Sequence, residues 1–321
     1  MNTYSRQKLP FISVIIPNYN GHLMLKRFLP TYKSLKYPNE RREIIIIDDG
    51  SVDESVVYIK KNFPEVRLIS YQKNRGQPHA MNEGIKAARG EILFIVNNDV
   101  RVHEDAFLIA SKYFTSHPEV GLLSGKIYNL DPKPGEGKIY NPGFKINRYC
   151  AFTGYDRSSF NRIRECDWLP NTALFAKKEL FDNAGLFEEK LRFCEDGEFS
   201  LKTKLAGYKI IHHPKLIFWH SLGTTLRTPD KRGIDYEKIY ENRDYCYFKG
   251  KFYIILKFGT PLQILSATLL QFSLMPFYNL VVLRNNTILP MFKAAWDTLF
   301  SIKEILDDRR SLRNIVKRKS A

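Results

Sequence analysis

The first part of the chain alternates between two hydrophobic patterns. Short apolar runs rich in Ile and Val are separated by stretches in which apolar residues recur at helical spacing. Continuous runs of this kind are typical of strands that a parallel sheet buries on both faces. The predicted strands are Phe11–Ile16, Glu43–Ile47, Val66–Ile69 and Glu91–Val96, and the predicted helices are 22–35, 53–62, 78–88 and 104–116. This order predicts an α/β fold with an open, mostly parallel sheet flanked by helices.

The pattern is less regular in the second half of the chain. A loop rich in Pro and Gly covers 129–150. It is followed by a predicted strand near Thr172–Ala176, a helix near 196–206 and strands at 208–212 and 216–220. After these elements the sequence changes to long apolar helices and a basic tail, which indicates a separate extension.

Composition and charge narrow the classes of partner. The chain has 321 residues, of which 44% are hydrophobic, so it has enough apolar material for a folded core and is not a disordered protein. The net charge of +16 predicts an anionic partner such as nucleic acid, a phospholipid surface or a phosphorylated substrate. The four cysteines are scattered without a C-x-x-C pair, which favours a reducing compartment over a disulfide framework or a zinc site.

Acidic and amide side chains follow the predicted strands, where ligands of open α/β sheets bind. The first strand is followed by Pro17–Gly21, the second by Asp48 and Asp49, and the fourth by Asn97–Asp99. These loops contain neither the G-x-G-x-x-G of dinucleotide sites nor the Lys of a P-loop. Their carboxylates can accept hydrogen bonds from a base or ribose, and their oxygens suit a hard cation such as Mg²⁺ or Mn²⁺ that bridges phosphates.

Each of these motifs alone has a simpler structural explanation. Asp48 and Asp49 can cap the next helix, whose start is also predicted by the capping-box pattern Ser51-Val-Asp-Glu54. The acidic pair Glu195-Asp196 can interact favourably with the dipole of the helix that it begins. His220, at the end of an apolar run, can be a hydrogen-bonded core residue. The motifs become specific only in combination.

In order and spacing, the motifs resemble those of the family 2 glycosyltransferases of the GT-A fold. The matching segments are Ser13–Asn20, Ile45–Ser51, Asn74–Gly76 with Asn82–Gly84, Gly90–Asp99, Asp167–Leu169, Asn183–Glu188, and Glu195-Asp196 followed by Ala206–Tyr208. The resemblance covers roughly residues 11–225. It implies a GT-A domain at 1–240, with a nucleotide-binding half at about 11–128 and an acceptor half at about 129–240, followed by an apolar helical extension at 241–321.

The resemblance implies a site for a nucleotide-diphosphate sugar at the strand ends. In this family the corresponding positions hold the nucleotide loop, contact the base or ribose, and bring a cation to the diphosphate. The donor-binding residues implied in this way are Pro17, Tyr19, Asp48, Asp49, Arg75 and Asn98.

The resemblance also implies a divalent cation, Mg²⁺ or Mn²⁺. Asp99 matches the last Asp of the family's D-x-D motif and is implied to be the principal ligand, and His220 lies where some members bring a further ligand. One departure is that Asn97 stands where the motif often opens with Asp. An Asn carbonyl can bind a hard cation but brings no charge, so the ion is expected to depend more on the phosphates of the donor.

Asp196 matches the catalytic base of the family, with Glu195 supporting it and Trp168 lining the acceptor side. Displacement at the anomeric carbon needs a base for the acceptor hydroxyl and a cation for the leaving diphosphate. One base without an enzyme nucleophile implies inversion. The expected product is a cell-surface polysaccharide or a lipid-linked oligosaccharide, made from a glycan or polyprenol-linked acceptor.

Two other classes of protein remain as alternatives. A sugar nucleotidyltransferase would also be α/β with a cation site, but a Gly-rich loop containing Arg is expected after its first strand, where this chain has Pro17–Gly21. A non-catalytic protein that binds anions or nucleic acid would explain the charge. Such binding predicts strong salt dependence without a metal requirement.

The segment Phe258–Leu283 contains no charged residue. It is long enough for one membrane span, for which about 20 apolar residues suffice, but Pro261 and Pro276 interrupt it. A single span would separate the basic tail from a catalytic domain that uses cytosolic sugar nucleotides, whereas basic clusters stay on the cytoplasmic side. We therefore expect a cytoplasmic protein whose broken helices lie in the cytoplasmic leaflet of an anionic membrane. The alternative is a helical core or a dimer contact.

Overall fold

The computed structural model describes residues 9–130, 139–140, 143–147, 152–155, 160–221, 236–269 and 288–320. The strands are β1 (Ile12–Asn18), β2 (Arg42–Asp48), β3 (Arg67–Ser70), β4 (Ile92–Val96), β5 (Val100–Val102), β6 (Val120–Asn129), β7 (Ile139–Tyr140), β8 (Phe144–Ile146), β9 (Phe152–Gly154), β10 (Arg164–Glu165), β11 (Ala173–Lys177) and β12 (Lys209–His220). The helices are α1 (His22–Phe28), α2 (Ser55–Asn62), α3 (Gln77–Ala87), α4 (Ala106–Ser116), α5 (Lys178–Ala184), α6 (Glu195–Leu205), α7 (Tyr236–Phe258), α8 (Pro261–Leu269), α9 (Ile288–Phe300) and α10 (Ile302–Ser320).

The central sheet has the strand order β10-β12-β6-β11-β4-β1-β2-β3, with β5 paired to β12 and β7 paired to β6. The four strands predicted from the first part of the chain are confirmed, and β3, β2, β1 and β4 are all parallel. The second half departs from the mostly parallel prediction because β11 inserts antiparallel between β4 and β6. The sheet is therefore mixed, and β11 joins its two halves.

The strands are buried on both faces, as their sequences predict. Val14 and Ile46 belong to one apolar core, while their neighbours Ile15 and Ile45 belong to the core on the opposite face. This alternation follows from the two-residue period of a strand. Because the sheet is fixed from both sides, the loops at the carboxyl ends of its strands have a rigid base.

Two predictions for the helices are wrong in detail. The helix predicted at 22–35 ends as an α-helix at Phe28 and continues as a 3₁₀ turn over Leu29–Ser34, because Pro30 has no backbone N–H to donate. The predicted capping box does not form. The hydroxyl oxygen of Ser51 accepts a hydrogen bond from the amide of Asn20 at 2.8 Å, so Ser51 joins two loops instead of starting α2.

The strands predicted at 208–212 and 216–220 form the single strand β12. Its pairing with β6 changes register between His212 and Ile217, around Pro214. Such an irregularity lets one strand pass a proline and continue. β12 therefore continues past the proline and ends at His220.

The C-terminal helices pack against α6 through α7. Met291 and Ala294 of α9 are fully buried against Phe248 and Phe252 of α7. A Cβ atom at Gly250 of α7 would lie 2.3 Å from the carbonyl oxygen of the residue two positions before α6. α7 thus approaches the start of α6 closely enough to require glycine at this contact.

A buried ionic network links α6, α7 and α10. The Lys257 Nζ atom lies 2.7 Å from Glu198 Oε1, and both side chains are almost completely buried. The Tyr253 hydroxyl lies 3.3 Å from Lys257 Nζ, 2.9 Å from Glu188 Oε2 and 2.5 Å from Asp308 Oδ2. Removing one member would leave an unpaired charge in the interior, which is strongly destabilising.

The apolar segment Phe258–Leu283 lies partly outside the described residues, because 270–287 are not among them. Its first part forms the end of α7 and the helix α8, which begins at Pro261 as predicted for a chain broken at its prolines. Among the residues that the structure describes, none of the helices combines the length and the apolar character that a membrane crossing requires.

Candidate active site

Asn18, at the end of β1, connects the loops that follow three strands. Its Nδ2 donates to Asp48 Oδ1 at 2.9 Å, and its Oδ1 accepts from Asn98 Nδ2 at 2.8 Å. A Cβ atom at Gly21 would lie within 2.2 Å of the atoms that form the Asn18–Asn98 hydrogen bond. The glycine is therefore needed for the first loop to fold over the strand ends.

Asp48 and Asp49 have different surroundings. Asp48 is fully buried, and its Oδ2 also accepts a hydrogen bond from the amide of Ser51 at 3.1 Å. Asp49 Oδ2 accepts hydrogen bonds from the amides of Arg75 and Gly76 at 2.9 and 2.8 Å, which holds the third loop. Asp49 Oδ1 is buried and has no hydrogen-bond partner among the described residues. This oxygen is available to accept a hydrogen bond from a ligand.

The remaining donor-side residues line the same edge of the sheet. Pro17 and Tyr19 are half-buried on either side of Asn18. The side chain of Arg75 is exposed in the loop held by Asp49, and it has no carboxylate partner within 4 Å among the described residues. Its guanidinium can therefore approach an anionic group bound over the strand ends.

The structure brings Asp99 and His220 together, although they are 121 residues apart in the sequence. β5 and β12 pair antiparallel, with Val100 opposite His220. Asp99 Oδ1 lies 3.1 Å from His220 Nε2, and both residues are buried. The two side chains that the sequence analysis proposed as cation ligands therefore lie next to each other, and their role as ligands stays a prediction.

These side chains fit a divalent cation that also binds the substrate. A carboxylate and an imidazole are suitable ligands for Mn²⁺, and carboxylate oxygen also suits Mg²⁺. Among the described residues, no group of three or more His, Cys, Asp or Glu side chains converges on one point. The chain thus offers two ionisable ligands here, and oxygen atoms of a bound diphosphate would complete the coordination.

Asn97 is placed differently from Asp99. Its amide hydrogen is donated to the carbonyl of Thr172 at 3.1 Å, and its Oδ1 accepts from Gln77 Nε2 at 2.9 Å. The side chain therefore connects the loop after β4 with the start of α3. Oδ1 keeps one further lone pair with which the side chain can contact a cation.

The acidic pair Glu195-Asp196 begins α6 and is held by Asn171. The Asn171 side chain donates to Glu195 Oε1 at 2.8 Å, and its backbone amide donates to Asp196 Oδ2 at 3.3 Å. Asp196 Oδ1 accepts from the amide of Gly197 at 2.9 Å. Cys194, directly before the pair, has the left-handed conformation with φ of 69°. The turn into α6 is thus defined by backbone geometry on both sides of the pair.

Burial raises the pKa of both carboxyl groups. Loss of hydration is the main cause for each, and the charge of Asp196 further raises the pKa of Glu195. The indole group of Trp168 and the nearby backbone amides lower the pKa of Asp196 and so act in the opposite direction. A carboxylate with a raised pKa is a stronger base, which suits proton abstraction near neutral pH.

The side chain of Trp168 is buried next to the acidic pair. Its indole group lies close enough to Asp196 to stabilise the charged carboxylate, and its ring lies against Gly197. It also packs in a cluster with Cys194 and with Ile254 of α7. These contacts indicate that Trp168 helps to fix the position of Asp196, and its role in lining the acceptor side stays a prediction.

A short segment before β11 connects the two parts of the site. Thr172 binds the backbone of Asn97 on the donor side, and the neighbouring Asn171 holds Asp196 on the acceptor side. Gln77 then links Asn97 to the loop that Asp49 holds. The candidate cation site, nucleotide loop and base therefore form one continuous hydrogen-bonded edge.

Sequence reasoning did not single out Asn171 or Asn18, although both organise the site. Each is an amide residue next to a buried strand, and amides at such positions usually form turns. A usable signal for Asn171 was its place shortly after Asp167-Trp-Leu. Asn18 lies inside the matched segment Ser13–Asn20, between Pro17 and Tyr19.

We expect Asp49→Ala to raise the KM for the donor nucleotide sugar about tenfold or more, because a hydrogen bond between a ligand and a carboxylate is lost. The kcat should fall only a few-fold, since Asp49 lies away from Asp196. Asp49→Asn is the matched control, because its amide oxygen can still accept from Arg75 and Gly76. A pure kcat defect in Asp49→Ala would contradict a binding role.

Comparison with known proteins shows which family this sequence resembles. The model of the family described as "Glycosyl transferase family 2" matches residues 13–170. The poly-beta-1,6-N-acetyl-D-glucosamine synthase of Staphylococcus epidermidis is 26% identical over 222 residues, which are 68% of this chain and 52% of that protein. The synthase of the same name from Staphylococcus aureus is 27% identical over 233 residues, covering 70% and 55%. The chain thus spans about half the length of these relatives.

Solved structures with the same fold include two nucleotide-sugar complexes. S. aureus TarS in complex with UDP-GlcNAc has a TM-score of 0.59 and 16% identity, with 96% of this chain and 89% of that chain covered. The mannosyltransferase PcManGT from Pyrobaculum calidifontis, in complex with GDP-Man and Mn²⁺, has a TM-score of 0.56 and 18% identity, with 98% and 88% covered. At this identity the similarity establishes the GT-A fold and no more.

Proposed function

Because this chain belongs to the family 2 glycosyltransferases, we propose that it is an inverting enzyme that transfers a sugar from a nucleotide-diphosphate sugar to an acceptor hydroxyl. The observation that carries the proposal is the segment of Asn171 and Thr172. It holds Asp196 on one side and the loop of Asn97 and Asp99 on the other. A base and a diphosphate site in this arrangement suit direct displacement between them.

In the proposed reaction, Asp196 accepts the proton of the acceptor hydroxyl. The hydroxyl oxygen forms a bond to the anomeric carbon while the bond from that carbon to the diphosphate oxygen breaks. The nucleotide diphosphate leaves from the opposite face, which inverts the configuration. Glu195 and Trp168 keep the carboxylate of Asp196 in position, and the hydrogen bonds of Asp196 limit its rotation.

The donor is proposed to lie along the strand ends. Asp49 accepts a hydrogen bond from the base or ribose, and Asp48 and Asn98 support the loops through Asn18. Pro17 and Tyr19 flank the nucleotide, and Arg75 approaches the diphosphate.

We propose Mg²⁺ or Mn²⁺ as the cofactor, held by Asp99 and His220 with a weaker contribution from Asn97. When bound, the cation neutralises the charge that develops on the leaving diphosphate. The Mn²⁺ in the PcManGT complex supports a divalent ion in this fold. The proximity of Asp99 to His220 supports these ligands in this chain.

We also propose that the chain divides into a catalytic domain at 1–240 and a helical extension at 241–321. The enzyme is proposed to work at the cytoplasmic face of a membrane, on a glycan or polyprenol-linked acceptor. The names of the relatives in polysaccharide synthesis support such a product. Peripheral attachment is supported by exposed apolar side chains on α8 and α9. They are Leu262, Leu265, Leu269, Leu289, Phe292, Trp296, Leu299 and Phe300.

The test is turnover of a panel of UDP-, GDP-, TDP- and CMP-sugars by the purified chain, with and without Mn²⁺. We expect release of one nucleotide diphosphate that depends on the cation and increases when an acceptor glycan is added. Absence of turnover with every donor, together with salt-sensitive binding of nucleic acid, would favour the non-catalytic alternative.

A further inference from the structure

A cavity of about 250 Å³ lies outside the candidate active site, between α7 and the segment that leads into α6. It is lined by Lys190, Leu191, Arg192, Tyr245, Cys246, Lys249 and Gly250. Three of these seven residues are cationic and none is acidic. The cavity is therefore suited to an anionic group.

Not all of the cations are already neutralised within the protein. Lys190 forms ion pairs with Glu304 and Asp308 of α10, at 2.9 and 3.2 Å. Within the part of the chain that the structure describes, Arg192 and Lys249 have no carboxylate oxygen within 4 Å. Two cations beside one cavity repel each other unless an anion lies between them, so their charge favours occupation by an anion.

Lys293 of α9 adds a third cation near the cavity, and it has no carboxylate oxygen within 4 Å among the described residues. Its Nζ lies 5.5 Å from the ring centre of Tyr245, and the Nζ of Lys249 lies 5.8 Å from the same ring. The nearest carboxylate on α9 is Asp297, whose Oδ2 accepts a hydrogen bond from the Tyr245 hydroxyl at 2.6 Å. Asp297 is thus bound to Tyr245, and among the described residues neither lysine forms an ion pair with it.

The exposed apolar face of α9 begins next to this cavity. Leu289, Lys293 and Asp297 are spaced four residues apart and form one row along the helix. Beside this row, Trp296 and Phe300 are 63% and 75% exposed. An apolar surface with large aromatic side chains, bordered by cations, is typical of helices that lie in the interface of a membrane.

We propose that the cavity binds the phosphate of an anionic membrane phospholipid while the apolar face of α9 enters the leaflet beside it. Arg192 and Lys249 contact the headgroup phosphate, Lys293 lies at the boundary, and Trp296 and Phe300 contact the acyl chains. The proposal deepens the proposed function, because it names the lipid contact by which the enzyme is held near a membrane-bound acceptor.

The test is binding of the full-length protein to vesicles of phosphatidylcholine with and without phosphatidylglycerol, in the absence of donor, metal and polyprenol. We expect binding only when phosphatidylglycerol is present. The double variant R192Q/K249Q should weaken it by about five-fold for each cation removed. The matched control is K60Q/K61Q, which removes two exposed lysines from α2, far from the cavity, and should change binding by less than about two-fold.

A second variant, Trp296→Ser, tests the apolar contact and should weaken vesicle binding without lowering the melting temperature, because the side chain is exposed.

Equal effects of R192Q/K249Q and K60Q/K61Q on vesicle binding would overturn the headgroup site. If R192Q/K249Q binds vesicles as the wild type does but has a raised KM for a polyprenol-linked acceptor, the headgroup site is also overturned. That result would assign the cations to the acceptor phosphate. A dimer in solution that Trp296→Ser dissociates, with no vesicle binding, would overturn the membrane contact. Donor turnover, measured separately, decides the proposed function independently of these results.

Discussion

Asp196→Asn is expected to lower the rate of sugar transfer by about 10²–10⁴-fold, the usual contribution of a general base. The amide cannot accept the proton of the acceptor hydroxyl. The KM for the donor should change little, because the segment of Asn171 and Thr172 lies between Asp196 and the loop of Asn97. The measurement is kcat and KM for transfer with a saturating acceptor, alongside the thermal melting of the variant.

The control for this prediction must separate chemistry from geometry. Both oxygens of Asp196 accept hydrogen bonds from backbone amides, so the Asn variant places one NH₂ group opposite an N–H donor. Glu195→Gln is the matched variant. Its oxygen can still accept from Asn171, and we expect a smaller loss of activity. Transfer by Asp196→Asn within a few-fold of the wild type would exclude Asp196 as the base.

The raised pKa of Asp196 gives the same prediction a dependence on pH. The base acts only when it is deprotonated, so kcat should fall as the pH drops through the pKa of Asp196. Because burial raises that pKa, the fall should occur at a higher pH than for an ordinary aspartate. Asp196→Asn should remove this limb from the pH profile.

Asp99→Ala is expected to abolish most of the cation-dependent activity, with a loss of about 10²-fold or more, since a metal ion contributes several kcal/mol to stabilising the leaving group. The alanine removes the only carboxylate of the Asp99–His220 pair. Titration of the wild type and the variant with Mn²⁺ measures the effect, after EDTA has removed bound ions. Full activity of the wild type in EDTA would contradict the metal requirement.

Asn97→Asp provides the opposite change at the same site. It adds a charge next to Asp99 and can still accept the hydrogen bond of Gln77. We expect half-maximal activity at a lower Mn²⁺ concentration than in the wild type. This variant distinguishes a specific loss of the cation in Asp99→Ala from general damage to the loop.

Local sequence patterns predicted the parts of the site that lie in single loops. Ile- and Val-rich runs predict the four parallel strands, and Asp49 and Asp99 lie within three residues of the ends of two of them. His220 and Asp99 are 121 residues apart in sequence, and their proximity was implied only by the family resemblance. The register of β5 and β12 that brings them together depends on a long-range pairing that no local pattern encodes.

The same limit explains what sequence analysis did not find. Asn171 acts through two hydrogen bonds to residues of another element, and its own neighbourhood resembles a turn. Lys257 lies in an otherwise apolar stretch near the end of α7. The sequence alone does not reveal its partner, because Glu198 is brought beside it only by the packing of α6 on α7. Contacts of this kind depend on how the helices pack and cannot be read from periodicity.

The buried network of Glu198, Lys257, Tyr253 and Asp308 also determines when the enzyme becomes complete during its synthesis. The ribosome delivers α6 more than 100 residues before Asp308, so the nascent chain carries Asp196 on a helix whose buried Glu198 still lacks its lysine. The acceptor side therefore reaches its final order only after α7 and α10 have emerged and docked. Until then the growing polypeptide has the sequence motifs of a transferase but does not yet have its working geometry.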